Sequence, residues 1–261
     1  MERIFSINRK IDKIDVYRIH DWLYHLGFII LGTLIADKTA GIGVFTLLIC
    51  SFALAFIYAL NDFTDHEKKS ILFIYPLVLL IICGHLISSK QWVPLALFLA
   101  LQIIYSVKPF RFKKIPIIGT LCCMLAFPQI FLIGYFEVDN FDLRSFSIFL
   151  LLTLLLGIMQ LVHEVRDIDE DVSAGINTSA VFYGKKIINY VCMIFSILGI
   201  GVSVYLCTFR IINMVAFMAL SIFQLYMLGE IFFKGITFKT RFRFRMFGLF
   251  SGTVWFISIF L

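Results

Sequence analysis

"FSIFLLLTLLLGIMQLVHEVRDIDED", residues 146–171, holds no charge for its first seventeen residues and then places Glu164, Asp167, Asp169, Glu170 and Asp171 within eight positions. An apolar run of about that length is the shortest that carries an α-helix across a hydrocarbon core about 30 Å thick. The stretch therefore reads as a membrane helix that ends in a bank of carboxylates. Both halves of that reading extend to the rest of the chain.

The 261 residues are 61% hydrophobic, 16% aromatic and 15% charged, more apolar surface than one water-soluble core can hide. Further apolar runs lie at Leu23–Ala36, Gly41–Leu60, Ile71–Ile87, Val93–Val107, Ile115–Phe136, Ile187–Cys207, Ile211–Phe233 and Met246–Leu261. With residues 146–162 they predict an all-α integral membrane protein of about nine transmembrane helices. The first run is the shortest, and Trp22 and His25 sit at its start. Period-2 alternation is absent, which selects a helical bundle over a membrane barrel. Residues 1–22 read as an uncleaved cytoplasmic tail and 23–261 as a single transmembrane domain.

Of the 23 Lys and Arg, only Lys38, Lys90, Arg144 and Arg210 fall on one side of this nine-helix arrangement. The positive-inside bias thus places the tail and the loops after helices two, four, six and eight in the cytoplasm. The net charge of +6 fits this bias and attraction to anionic membrane lipids, and no nucleic-acid-binding motif accompanies it. The six cysteines lie in apolar runs without CxxC spacing and read as packing residues rather than as a zinc site or disulfide framework. A compact chain with short loops fits a prokaryotic cell membrane.

The acids are concentrated where the bases are spread. In "ALNDFTDHEKK" (59–69), Asp62 and Asp65 are three apart and share a helix face, with Asn61 beside them. Asp167 and Asp171 are four apart and share a face that continues back through Glu164 and Gln160. Two helices therefore each present a carboxylate pair on the cytoplasmic side. Such pairs repel unless a cation lies between them, and their hard oxygens suit Mg²⁺ completed by substrate phosphate. Between them in sequence, "IIYSVKPFRFKKIP" (103–116) supplies Lys108, Arg111, Lys113 and Lys114, bracketed by Pro109 and Pro116. Acids and bases around one cytoplasmic cavity describe a metal-bridged diphosphate site. His66 and His163 adjoin the acid clusters as candidate acceptor contacts or bases, whereas Glu137, Asp139 and Asp142 read as solvated acids of the opposite face.

The three ordered stretches "NDFTD", "YSVKPFRFK" and "RDIDEDVSAGINTSAVFYG" resemble the UbiA superfamily of intramembrane prenyltransferases. Asn61, Asp62 and Asp65 match its first signature; Asp167, Asp171, Gly175, Thr178 and Gly184 match its second; and Tyr105, Ser106, Pro109, Arg111 and Lys113 match the connecting loop. The resemblance implies a helical bundle around a central cavity capped by cytoplasmic loops. It also implies Mg²⁺-dependent transfer of an isoprenoid from a polyprenyl diphosphate to a lipophilic acceptor, most commonly an aromatic quinone precursor, within the membrane. In that scheme Asp62, Asp65, Asp167 and Asp171 are the metal-binding and catalytic acids. Asn61, Tyr105, Ser106, Arg111, Lys113, Glu164 and Arg166 then contact or position substrate. Where the family's first signature has its last Asp, this chain has Lys69. A direct contact from Lys69 to a diphosphate oxygen is one expectation, and a non-catalytic scaffold or isoprenoid-binding role is the contrary one; an isoprenoid cyclase of the same superfamily is the third.

Overall fold

The computed structural model describes residues 17–66 and 72–261; Lys69 lies outside them. Twelve helices follow in order: α1 (Ile19–Trp22), α2 (Leu26–Ala36), α3 (Val44–His66), α4 (Ile74–Cys83), α5 (Ser89–Ser106), α6 (Ile118–Ala126), α7 (Gln129–Tyr135), α8 (Leu143–Arg166), α9 (Ile168–Ser173), α10 (Ser179–Thr208), α11 (Met214–Lys234) and α12 (Thr240–Ser258). No strand occurs among the described residues.

Among the described residues, six segments are long and apolar enough to cross a membrane: Ile19–Ala36, Val44–Asp65, Ile118–Tyr135, Leu143–Arg166, Ser179–Thr208 and Met214–Lys234. The chain is an integral membrane protein with fewer self-evident spans than the nine expected. Ile74–Leu86 is a shorter apolar helix, α5 carries Lys90, Gln91 and Gln102, and α12 opens with Arg241, Arg243 and Arg245. The first span begins at Ile19 rather than Leu23, because Trp22 and His25 are core residues, 4% and 3% exposed, and not interfacial ones.

Polar residues stop and start the helices where the apolar runs meet water. Asp142 accepts from the Ser145 N–H at 2.7 Å at the head of α8, and Asn213 accepts from the Ala216 N–H at 2.9 Å at the head of α11, each meeting a donor that the first helical turn leaves unpaired. Asp142 also accepts from the Tyr135 hydroxyl at 3.0 Å. Glu137 accepts from Thr46 Oγ1 at 3.1 Å and Thr33 Oγ1 at 3.4 Å. These acids, expected to be merely solvated, instead fasten helix ends to one another.

Three apolar clusters organise the bundle. One joins α1 to α7 through Ile29, Leu54, Phe98 and Ile130. The second centres on Phe131, Tyr135 and Leu151 and reaches Leu220 of α11 and Trp255 of α12. The third packs α8 against α10, α11 and α12 through Ile158, Cys192, Met227 and Phe244. Large apolar side chains such as Ile81, Ile197, Leu198 and Phe250 remain exposed, as a lipid-facing surface requires. The ends of α3 and α8, which carry the two acid stretches, thus come from different halves of the bundle and meet over one cavity.

Candidate functional site

The first acid stretch is the continuation of α3 beyond its apolar run. The helical period sets Asn61 and Asp65 one turn apart, and the Asn61 amide donates to Asp65 Oδ2 at 3.1 Å. Ser106, the last residue of α5, donates to Asn61 Oδ1 at 3.0 Å. Beyond α5 the chain turns through Arg111, which holds φ 41° and ψ 52°. That left-handed conformation costs a residue with a Cβ roughly 1–2 kcal/mol, and it places Arg111 Nη2 3.1 Å from Asp65 Oδ1 and 3.4 Å from the Thr64 carbonyl. Lys113, 6% exposed, donates to Asn61 Oδ1 at 3.1 Å and to Asp65 Oδ1. Burial pulls the Lys113 ammonium below its usual pKa, against the opposing pull of Asp65. An ammonium thus sits between two oxygen acceptors. Asp62 lies half-buried on the same helix.

The second stretch begins where α8 stops. Asp167 receives Arg166 through two nitrogens, Nη2 to Oδ2 at 2.7 Å and Nε to Oδ1, and His163 Nδ1 lies 3.1 Å from its Oδ2. Burial raises the Asp167 pKa, but Arg166 and His163 outweigh it and hold the carboxyl below its usual range. One turn on, Asp171 is treated differently. Its carboxylate accepts from Thr178 Oγ1 at 3.2 Å, while burial, Asp167 and Glu170 push its pKa up to about 6.

The spacing of the motif follows from this geometry. Gly175, at φ 64°, lets the chain reverse so that the Ile176 N–H reaches the Asp171 carbonyl at 2.8 Å, a turn that disfavours any side chain with a Cβ. Thr178 then serves twice, on Asp171 and as the cap of α10 through the Val181 N–H at 3.4 Å. Gly184, at φ 76°, kinks α10 just after its first turns.

A polar cavity of about 150 Å³ lies between the two stretches. It is walled by Asn61, Gln102, Tyr105, Gln160 and His163, by the aromatic rings of Tyr24, His25, Tyr58 and Phe127, and by Arg18 and Arg241. Tyr24, Leu156 and Met159 also line a second, apolar cavity of about 420 Å³ between α2, α8, α11 and α12. The structure therefore sets an ionic pocket beside an oily one.

Of the residues expected at the site, Asn61, Asp65, Ser106, Arg111 and Lys113 form one bonded cluster, and Tyr105 lines the cavity. Arg166 is engaged with Asp167. Glu164, 6% exposed, accepts from Thr120 Oγ1 at 2.8 Å and Gln160 Nε2 at 3.2 Å, and Thr120 Oγ1 is 2.6 Å from Ser179 Oγ, which takes the Ile117 N–H at 2.8 Å. It ties the basic loop to the second acid stretch from behind. Sequence reading missed Arg18, Tyr24, His25 and Arg241, which the ends of the chain bring in; the only signal was a basic residue at each edge of an apolar run.

No three His, Cys, Asp or Glu side chains converge to hold a metal ion among the described residues. The carboxylates come in pairs from separate helices, and such a set fits Mg²⁺, which takes one or two carboxylates and leaves its other positions to water and phosphate.

The model of the UbiA prenyltransferase family matches residues 69–250, well over half of the sequence and starting just after the first acid stretch. The chain belongs to the UbiA prenyltransferase family. Its fold is similar to that of a UbiA homologue from Archaeoglobus fulgidus bound to DMAPP and Mg²⁺, at 18% identity and a TM-score of 0.75, covering 95% of this chain and 99% of that one. It is also similar to a digeranylgeranylglyceryl phosphate synthase, at 16% identity and TM-score 0.74 over 95% and 97%. An apo UbiA homologue from Aeropyrum pernix K1 matches at 12% identity and TM-score 0.71 over 93% and 98%. No curated protein matches the sequence significantly.

Proposed function

We propose that the chain is a prenyltransferase that moves an isoprenoid from a polyprenyl diphosphate to a lipophilic, most commonly aromatic, acceptor within the membrane, with its site on the cytoplasmic side. The observation that carries this reading is the pairing of Asp65 with Arg111 and Lys113, bonded to Asn61 in the wall of a polar cavity that adjoins an apolar one. Relatives of the same fold bound to DMAPP or GPP with Mg²⁺ support it.

Asp62 and Asp65 on α3, with Asp167 and Asp171 after α8, would hold Mg²⁺. When bound, Mg²⁺ supplies charge neutralisation for the diphosphate. The chain's own residues do the rest. As the allylic C–O bond breaks, its electron pair leaves on diphosphate, and Arg111 and Lys113 stand where that negative charge grows. Asn61 and Ser106 fix the position of the Lys113 ammonium. The carbon left behind is electron-poor, and the rings of Tyr24, Tyr58, Tyr105 and Phe127 stabilise it through their π faces while keeping water away. The acceptor's nucleophilic atom then forms the new bond and loses its proton.

The test is diphosphate release by the purified protein from dimethylallyl, geranyl, farnesyl and geranylgeranyl diphosphate, with pooled acceptors, in Mg²⁺ and in EDTA. Release that needs Mg²⁺ and disappears in Asp65→Ala and Asp167→Ala is the expected result. Absence of release from every donor would favour the binding or scaffold role.

A further inference from the structure

Two uncharged polar groups in the wall of the polar cavity lack a full partner. His25, immediately before α2 and 3% exposed, is stacked between the Tyr24 ring, with centroids 4.1 Å apart at 29°, and the Phe127 ring, at 4.6 Å and 24°. Its Nδ1 lies 3.2 Å from the Trp22 carbonyl oxygen. A carbonyl only accepts, so Nδ1 carries the hydrogen and Nε2 keeps a lone pair. That Nε2 has no hydrogen-bond partner among the described residues. The flanking rings fix the imidazole plane, and His25 belongs to the cavity wall. Gln102 on α5, 7% exposed, lines the same cavity. Its Nε2 rests by the Cys123 thiol, a weak acceptor, and is otherwise unpartnered. One group is an acceptor and the other a donor, and burying either with its hydrogen bond unmade costs free energy.

We propose that His25 and Gln102 recognise a hydroxyl group on the acceptor: Gln102 Nε2 donates to the hydroxyl oxygen, and His25 Nε2 takes the hydroxyl proton as the bond to the isoprenoid forms. A hydroxyl supplies an acceptor and a donor on one atom. A carboxylate or diphosphate oxygen would instead set its lone pair against that of His25, and a carbonyl would leave His25 unmet. The step balances. The allylic carbon takes an electron pair from the acceptor, the O–H bond breaks with its electrons staying on the acceptor, and the proton turns the imidazole into an imidazolium. The departing diphosphate carries the balancing negative charge, and the imidazolium passes its proton to water as product leaves. Enclosed by aromatic faces and sharing its cavity with Arg18 and Arg241, the imidazole is neutral before the step, as a base must be. The reaction is that of the prenyltransferase reading above, whereas the hydroxyl site rests on the two unmet groups alone.

The first arm of the test is equilibrium binding of phenol and of its methyl ether, anisole, to the full chain in neutral detergent with saturating Mg²⁺ and inorganic diphosphate. Phenol binds about tenfold tighter than anisole, the worth of one good hydrogen bond. The preference vanishes in His25→Phe, which keeps a stacked ring without its nitrogens, and shrinks in Gln102→Leu. Comparable melting shows that the variants fold. The second arm supplies geranylgeranyl diphosphate with pooled hydroxyaromatic and alcohol acceptors and reads the ratio of prenylated acceptor to geranylgeraniol, the product of capture by water. That ratio falls by about 10²-fold in His25→Ala and in His25→Phe, the scale of one positioned base, and added imidazole restores part of it in His25→Ala alone. The proposal is overturned if the wild type does not prefer phenol, if the preference survives in His25→Phe, or if His25→Phe keeps the wild-type product ratio. It is equally overturned if diphosphate is released but no hydroxylated acceptor is prenylated. Absence of diphosphate release from any donor would instead sink the prenyltransferase reading, and the phenol–anisole comparison would then decide the hydroxyl site by itself.

Discussion

Lys113 and Asp171 show how differently two charges of one site are held. The Lys113 ammonium is buried and bonded to Asn61 and Asp65, so Lys113→Met removes the cation proposed for the leaving diphosphate and leaves Asp65 with Arg111. We expect diphosphate release to fall by about 10²-fold, the scale of losing one preorganised charge-stabilising group. Retained release within a fewfold would show that Arg111 and the metal suffice. Asp171 is the reverse case. Its folded-state pKa is raised to about 6 from 3.8, so above pH 6 its charge weighs against the ligand-free fold, and that penalty is relieved as pH falls from about 6 toward 3.8. Asp171→Asn should therefore raise the melting temperature of the ligand-free protein at pH 7.5 and flatten its pH dependence over that window, while abolishing release. Mg²⁺-dependent stabilisation should run oppositely, weakening below pH 6 as the proton competes for the same carboxylate. A melting point lowered by Asp171→Asn would show that the carboxylate is satisfied without a cation. Asn61, Asp65, Arg111 and Lys113, which the fold bonds into one cluster, stood out in sequence because each belongs to a short polar stretch that interrupts the apolar runs. Arg18 and Arg241 did not, since a basic residue at the end of an apolar run is normally an orientation signal and only packing of the chain ends turns these two inward.

At the level of elements, the apolar runs located the helices but not their breaks. The run Ile115–Phe136 reads as one span, yet Pro128, lacking an N–H, separates α6 from α7. What that break achieves is a close crossing of α7 over α2. A Cβ on Gly134 would stand 2.1 Å from the Ile29 carbonyl oxygen and 2.8 Å from its Cα, and one on Gly32 would stand 2.2 Å from the Phe131 carbonyl oxygen. These neighbours are backbone and cannot turn aside, so the two helices approach as small residues allow in membranes. Gly134→Ala is expected to destabilise the protein by about 1–3 kcal/mol through overpacking, read as a lowered melting temperature in detergent. Gly229→Ala, where nothing lies within 4 Å, should be neutral or slightly stabilising because it removes only backbone freedom. Equal losses in both variants would mean that the crossing is looser than the contacts indicate. Nothing in the sequence marks Gly134 apart from Gly229, because the distinction depends on which helix lies opposite.

For the molecule as a whole, the sequence carried the logic of two acid stretches on one side of a helical bundle, and the structure adds an apolar cavity beside the polar one. The polar cavity and the apolar cavity share Tyr24, Leu156 and Met159. Leu156 and Met159 sit three apart on α8, about three and about two turns before Asp167, so the helix that delivers the second acid stretch also forms the boundary between the two compartments. In the proposed reaction, a donor with its diphosphate at Arg111 and Lys113 would thread its tail past this boundary to be buried in apolar surroundings, whose benefit grows with each isoprene unit. Leu156→Trp places a larger side chain there. Release from dimethylallyl diphosphate, too short to pass, should stay within about threefold of wild type, while release from geranylgeranyl diphosphate should fall by about tenfold or more, because a pocket wall discriminates chain length by steric exclusion. Measured side by side with the same acceptor, the ratio of the two rates cancels differences in expression and folding. An equal fall for both donors would move the tail out of this cavity and leave the apolar compartment to the acceptor alone.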